Sequence, residues 1–148
     1  MADLSFSTDV QWHGTGREGQ GAVRLGGKEV GYSVPDSMGG KGNGSSPEEL
    51  LIAAVGACYS GTLFGLLRKK GLPVSQVGVR AEGTVIGYPL QSKFSRLCVS
   101  PTVEGGDVAQ AKSYEQAAAE ARDRCFIGKT ITGNVQYDVG EVRVLAAE

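Results

Sequence analysis

A segment without charges, residues 50–67, most constrains how this chain can fold. Helix signals flank the segment: Ser46 is a preferred N-cap, Pro47 suits the first helical position, and Glu49 completes a capping box. Three cations and then Gly71 follow it, as is typical of a helix C-terminus. Because no charge lies between these ends, the sequence predicts a long helix that is covered on nearly every side.

The same segment is just long enough to cross a membrane. Glycine, serine and threonine dilute its hydrophobicity, however, and the chain has no second segment of this kind. We therefore expect a buried helix of a globular domain and no membrane span. Gly61 and Gly65, four residues apart, predict a helix face that another backbone approaches, either a sheet or the same helix of a second subunit.

Length, charge and cysteine content exclude several classes of protein. The chain has 148 residues, enough for a single domain over 1–148 with its own core. A net charge of −1 gives no basis for binding nucleic acid or an anionic membrane surface. The N-terminus has no signal peptide pattern, and cysteines at 58, 98 and 125 are too few and too widely spaced for a secreted disulfide framework. We therefore expect a reducing, cytoplasmic location.

The order of predicted elements favours the α+β class. Strands are predicted at 4–13, 22–25, 29–34, 76–87, 92–103 and 133–144, with the central helix after the third strand and a second helix from Asp107 to Cys125. Because hairpins dominate this order, we expect mainly antiparallel sheets around the long buried helix. A single sheet covers only one side of such a helix, so we also expect a homodimer.

Three features that resemble ligand sites lack the context that such sites need. Residues 14–19 match the spaced glycines of dinucleotide-binding loops, but no helix follows them. Residues 128–130 imitate the end of a phosphate loop, but the residues before them are predicted to be helical. His13 is the single histidine, and the cysteines have no paired spacing. We therefore predict neither a metal nor a cofactor.

The cysteines themselves carry the strongest chemical signal. Cys58 and Cys125 each lie on the apolar surface of a predicted helix, and two helices packed over one sheet can bring such surfaces together. A thiol pair of this kind can cycle through a sulfenate and a disulfide. Cys98 lies in a strand, where a thiol is usually a small apolar side chain, and we assign it no role.

This chemistry requires an ionised Cys58, which burial opposes. A fixed cation is needed, and arginine suits this role because it stays charged and can also bind a carboxylate, for which Glu48 is the obvious candidate. Glu48 and Cys58 are ten residues apart, about 15 Å along a straight helix, so they cannot touch within it. An arginine that spans part of the gap, a bend at Gly56 and a site shared with a partner chain remain alternatives. Glu48 could also simply stabilise its own helix N-terminus.

Residues 39–58 resemble the signature of the osmotically inducible protein C and organic hydroperoxide resistance (OsmC/Ohr) family. The match joins a glycine-rich loop, the Pro47-Glu48 pair and the Ala57-Cys58 pair, and Cys125 and the strand start at 133–135 match as well. The resemblance implies an intertwined homodimer that acts in the oxidative stress response. Its implied activity is that of a thiol-dependent peroxidase, which reduces organic hydroperoxides and, less well, hydrogen peroxide.

Carried over by position, the resemblance implies a role for each candidate residue. Cys58 corresponds to the peroxidatic cysteine, Cys125 to the resolving cysteine and Glu48 to the carboxylate that holds the catalytic arginine. Arg17 best matches that arginine, and Arg24 is the runner-up. The implied partners are an organic or lipid hydroperoxide as substrate and an external dithiol, such as a lipoylated protein, as reductant.

The chain departs from the family pattern after the second cysteine. The family usually has proline there and a serine two residues on, whereas this chain has Phe126, Ile127 and Gly128. A one-cysteine cycle that an outside thiol resolves therefore remains an alternative. A second alternative belongs to another functional class: a non-catalytic α+β dimer that has inert thiols and binds small apolar molecules at its interface.

Overall fold

The predicted α+β class is confirmed in a computed structural model that describes residues 1–148. Contacts between residues divide the chain into two units, residues 1–51 and residues 52–148. The strands are β1 Asp9–His13, β2 Gln20–Leu25, β3 Lys28–Tyr32, β4 Gln76–Ile86, β5 Lys93–Gly106, β6 Gln136–Val139 and β7 Arg143–Ala146. The α-helices are α1 Pro47–Lys69, α2 Ala111–Arg124 and α3 Phe126–Ile131.

The first unit is built on an antiparallel sheet in the order β1-β2-β3. The β2–β3 turn consists of Gly26 and Gly27, whose φ angles of 54° and 84° suit glycine. Of the apolar side chains in this sheet, Val23 is buried, whereas five in and before it are exposed: Leu4, Phe6, Val10, Trp12 and Leu25. A single chain therefore leaves much of this unit's apolar surface in solvent.

Both predicted ends of α1 are present. The Glu49 backbone N–H donates to Ser46 Oγ at 3.2 Å, and the Ser46 hydroxyl donates to the Glu49 carboxylate at 3.1 Å. At the other end Gly71 has φ of +72°, and the Leu72 N–H donates to the Leu67 carbonyl at 2.9 Å, as in a Schellman motif. These contacts fix where the helix starts and stops.

In a single chain, α1 is covered on one side only, so the prediction of nearly complete cover is wrong for the chain alone. One face contributes five side chains to the core: Val55, Tyr59, Leu63, Leu66 and Leu67. On the opposite face the exposed residues between 50 and 67 are all small: Ala53, Ala54, Ala57, Gly61 and Gly65. By length and composition α1 could cross a membrane, a property that the core helices of soluble proteins share.

Within the single chain, the close approach that a helical glycine permits occurs at Gly56, so the sheet alternative predicted for Gly61 and Gly65 is wrong, and the alternative of a second subunit stays a prediction. A Cβ added to Gly56 would lie 3.3 Å from the Ala81 Cβ of β4, so glycine lets this strand approach the helix. Nothing in the chain lies within 4 Å of a Cβ added to Gly61 or Gly65. Helix α1 runs through Gly56 without a break.

The second unit holds a sheet in which β5 is central. Strand β4 pairs with β5 antiparallel, and both β6 and β7 pair with β5 in parallel. The single closing strand that the sequence predicted is thus two strands, β6 and β7, on one edge of β5. The pairing register on β5 shifts by one residue from β6 to β7, and Gly140 lies in the segment between these two strands. The pairing is parallel because α2 and α3 carry the chain back across the sheet before β6 begins.

The predicted second helix is also divided. A short 3₁₀ turn at Val108–Gln110 precedes α2, and α2 ends at Arg124. Cys125 has an extended backbone, with φ of −61° and ψ of 111°, and lies between α2 and α3 as the N-cap of α3. The thiol is therefore at a helix junction and not on the helix face that the sequence pattern indicated.

Candidate thiol site

Two free thiols meet in the second unit. Cys58 is partly buried in the middle of α1, and Cys125 is completely buried. The two side chains are close enough to interact directly. Cys98 lies on β5, opposite Glu82 of β4 and Asp138 of β6, and is not part of this pair.

Contacts between α1 and α2 hold the pair in place. The Tyr59 hydroxyl donates a hydrogen bond of 2.9 Å to the Ala118 carbonyl inside the core. An ion pair of 2.9 Å joins Lys70, just beyond α1, to Glu120 of α2. These two bridges fix α1 against α2, so that Cys58 lies opposite the end of α2, where Cys125 stands.

The surroundings of Cys125 favour its neutral form. Burial is the largest effect on the pKa of this thiol and raises it, and the neighbouring Cys58 raises it further. Opposing this, the Gly128 backbone N–H donates to Cys125 Sγ at 3.4 Å and the Tyr137 hydroxyl faces the sulfur. The net result is a raised pKa, so Cys125 is a protonated thiol at neutral pH.

A buried tyrosine adjoins the Cys125 thiol. The Tyr137 hydroxyl is inaccessible to solvent and makes no hydrogen bond. Burial strongly raises the pKa of Tyr137, so its proton stays in place at neutral pH. Sequence reasoning missed this residue, because a tyrosine in a short edge strand reads as ordinary core packing.

Gly128, where the family pattern expects serine, is explained by the same tyrosine. A Cβ added to Gly128 would lie 2.2 Å from Tyr137 Cε2, a distance that real Cβ contacts do not reach. Only glycine lets the aromatic ring pack against the start of α3. The structure thus explains this departure from the pattern by a contact with Tyr137.

The remaining predicted site residues lie in the first unit. Arg17 is exposed in a 3₁₀ turn, and its side chain packs over Gly39, where an added Cβ would lie 3.1 Å from the guanidinium Nε. Glu48 is in the first turn of α1, and Arg24 is exposed on β2. The five ion pairs of the chain do not include one between Arg17 and Glu48.

Neither of two cavities in the second unit is lined by a cysteine. The larger, about 890 Å³, lies between the C-terminal end of α1 and β7. A second, about 430 Å³, is lined by Arg122, Asp123, Lys129, Thr132 and Tyr137. No group of three or more histidine, cysteine or acidic side chains is arranged to hold a metal ion.

Comparison with known proteins identifies relatives over most of the chain. Residues 40–140 match the family model described as OsmC-like protein. The uncharacterized protein YmaD of Bacillus subtilis is 29% identical over 145 residues, which cover 94% of each chain.

Two solved structures share the fold. An organic hydroperoxide resistance protein OsmC from Legionella pneumophila superposes with a TM-score of 0.71 at 23% identity, covering 95% of this chain and 99% of its own. The organic hydroperoxide resistance protein OhrB of Bacillus subtilis superposes with a TM-score of 0.66 at 19% identity, covering 93% of this chain and 98% of its own. At these identities the likeness extends to the fold alone.

The raised pKa of Cys125 predicts how stability depends on pH. An unfolded chain ionises this thiol near pH 8.5, below its folded pKa, so its stabilising contribution is complete below that pH and is lost as the pH rises above it. In urea titrations under reducing conditions, we expect the free energy of unfolding to fall more steeply with pH in the wild type than in Cys125→Ala. Cys98→Ala, which keeps Cys125, should retain the steep slope. Equal slopes in the wild type and Cys125→Ala would contradict the assignment.

Proposed function

The chain belongs to the OsmC-like protein family, and on that premise we propose that it is a thiol-dependent peroxidase that reduces organic hydroperoxides. The observation that carries the proposal is the pairing of a partly exposed Cys58 with a buried Cys125. One thiol can be reached from outside, and the other can be reached only from the first. This is the arrangement that a peroxidatic and a resolving cysteine need.

The proposed cycle begins with a Cys58 thiolate. It attacks one peroxide oxygen, the O–O bond breaks, and the alkoxide leaves and takes up a proton to become an alcohol. The resulting Cys58 sulfenic acid condenses with the Cys125 thiol, forming a disulfide and releasing water. An external dithiol then reduces the disulfide by two exchange steps, and a lipoylated protein is a reductant of this class.

Arg17 and Glu48 complete the proposed machinery on the strength of the family resemblance. A guanidinium stays charged at every relevant pH and stabilises a thiolate, while a carboxylate fixes its orientation. The packing of Arg17 over Gly39 supports a defined position for its side chain, because φ of +79° at Gly39 favours glycine and leaves room for the guanidinium. Arg24, exposed on the second strand, remains the runner-up.

A homodimer is the proposed functional form. The exposed small-residue face of α1 supports it, because small residues allow the close approach of a second helix. The exposed apolar side chains of the first unit, such as Leu4 and Phe6, support it independently. The three free thiols fit the proposed location in a reducing cytoplasm.

Thiol titration tests the peroxidase proposal directly. One equivalent of an alkyl hydroperoxide should remove two free thiols per chain from the wild type and from Cys98→Ser, and none from Cys58→Ser. Cys125→Ser should consume peroxide once and then stall as a sulfenate. Unchanged thiol counts in every protein would favour the alternative, a dimer with inert thiols that binds apolar molecules. Loss of one free thiol per chain from the wild type, as from Cys125→Ser, would identify a one-cysteine cycle.

Replacement of each candidate arginine distinguishes between them. We expect Arg17→Gln to slow the oxidation of Cys58 by about a hundredfold, since a fixed donor at the reacting charge contributes on that order. Arg24→Gln should remain within about twofold of the wild type if Arg17 holds the role. Stopped-flow oxidation with an alkyl hydroperoxide measures both rates. The reverse order would assign the role to Arg24.

The dimer is tested on the exposed face of α1. The wild type should sediment at twice the 15.4 kDa chain mass. Ala57→Glu buries an unpaired charge if a second copy covers this face, and should weaken the dimer at least about tenfold. Ala119→Glu, an equivalent change on the exposed side of α2, should leave the dimer intact. A wild type at the mass of one chain would refute the dimer.

A further inference from the structure

The Tyr137 hydroxyl is a buried polar group that the peroxidase cycle described above does not use. It has no hydrogen-bond partner in the reduced chain, although more than nine-tenths of the residue is buried. Buried hydroxyls in folded proteins are nearly always paired, so an orphan needs an explanation. The nearby Tyr59 shows the usual arrangement, because its hydroxyl donates to the Ala118 carbonyl at 2.9 Å.

The surroundings of Tyr137 indicate what its hydroxyl serves. It faces the Cys125 sulfur, which is otherwise contacted by the Gly128 N–H at 3.4 Å and by Cys58. A neutral thiol is a weak acceptor, whereas a thiolate is a strong one. The hydroxyl therefore lacks a good acceptor only while Cys125 is protonated.

The position of the Tyr137 ring requires glycine at position 128. Any side chain at position 128 would collide with the Tyr137 ring, since an added Cβ would lie 2.2 Å from Cε2. Gly128 thus provides both the space for the ring and the backbone N–H that contacts the sulfur. The Gly128 N–H of α3 thus contacts the sulfur, and the Tyr137 hydroxyl of β6 faces it without a hydrogen bond.

We infer that Tyr137 donates a hydrogen bond to the Cys125 thiolate at the moment when this sulfur closes the disulfide with Cys58. This role rests on the proposed peroxidase cycle, in which Tyr137 is the hydrogen-bond donor of the second step, the formation of the disulfide. In that step the Cys125 sulfur attacks the sulfur of the Cys58 sulfenic acid and the S–O bond breaks. The hydroxide that leaves takes up the former thiol proton as water.

The groups facing Cys125 set the size of the expected effect. Four groups lie near its sulfur: Cys58 and Tyr59 on α1, the Gly128 N–H on α3 and Tyr137 on β6. The positive charge of Arg122 on α2 acts on the pKa of Tyr59, which it lowers. Losing a hydrogen bond to a charged sulfur lowers its thiolate fraction by about ten- to a hundredfold. The more basic thiolate recovers about half of this on a logarithmic scale, which leaves closure about three- to tenfold slower.

The test compares Tyr137→Phe with Tyr59→Phe, each in a Cys98→Ser background that keeps only the two paired thiols. After rapid oxidation with an alkyl hydroperoxide, disulfide closure is followed against pH. We expect Tyr137→Phe to close about three- to tenfold more slowly at neutral pH, with the deficit shrinking as the pH rises and Cys125 ionises in every protein. Tyr59→Phe, whose hydroxyl is already committed to Ala118, should close within about twofold of the background protein.

A second arm separates this inference from the peroxidase proposal. Oxidised glutathione first forms a mixed disulfide with Cys58, and Cys125 then displaces the glutathione thiol, so the same closure occurs without peroxide. Slow closure of Tyr137→Phe in this arm supports the role of Tyr137 even if peroxide leaves the wild-type thiols intact. Closure at the background rate in this arm, or a deficit independent of pH, would overturn it.

Discussion

Burial of one sulfur atom beside another is the constraint on which the site depends. Cys125 has no exposed surface, and burial together with Cys58 raises its pKa. An apolar enclosure protects a thiol from outside oxidants, but it also opposes the ionisation that disulfide formation needs. The Gly128 N–H is a fixed dipole directed at this sulfur, and the Tyr137 hydroxyl faces it. The site thus encloses the Cys125 thiol in apolar surroundings and places two polar hydrogens beside its sulfur.

Helix α1 makes this arrangement possible because its two faces differ. Large side chains such as Leu63 and Leu67 anchor one face in the core, and the Tyr59–Ala118 hydrogen bond fixes its distance from α2. The other face is small and exposed in a single chain, which connects the sequence of the helix to the proposed dimer. Cys58 lies between these faces, partly buried, where it contacts Cys125 and is still partly exposed to solvent.

The sequence predicted those parts of the fold that local chemistry determines. The caps of α1 at Ser46 and Gly71 and the antiparallel hairpins follow from turn and capping residues, and the structure has them. The division of the last strand and the parallel pairing with β5 depend on where α2 and α3 return the chain, which no local pattern encodes. Cys125 was expected on a helix face because its spacing fits α2, yet it caps α3. Tyr137 was missed because its contact with Cys125 joins separate elements.

The connectivity of the oxidised chain tests the central claim most directly. The wild type is treated with one equivalent of an alkyl hydroperoxide, its remaining thiols are blocked at acidic pH, and it is digested without reduction for mass spectrometry. We expect a single cross-linked pair of peptides, one containing Cys58 and the other Cys125, with Cys98 recovered as the blocked thiol. A disulfide that includes Cys98, or a cross-link between two copies of the Cys58 peptide, would contradict it.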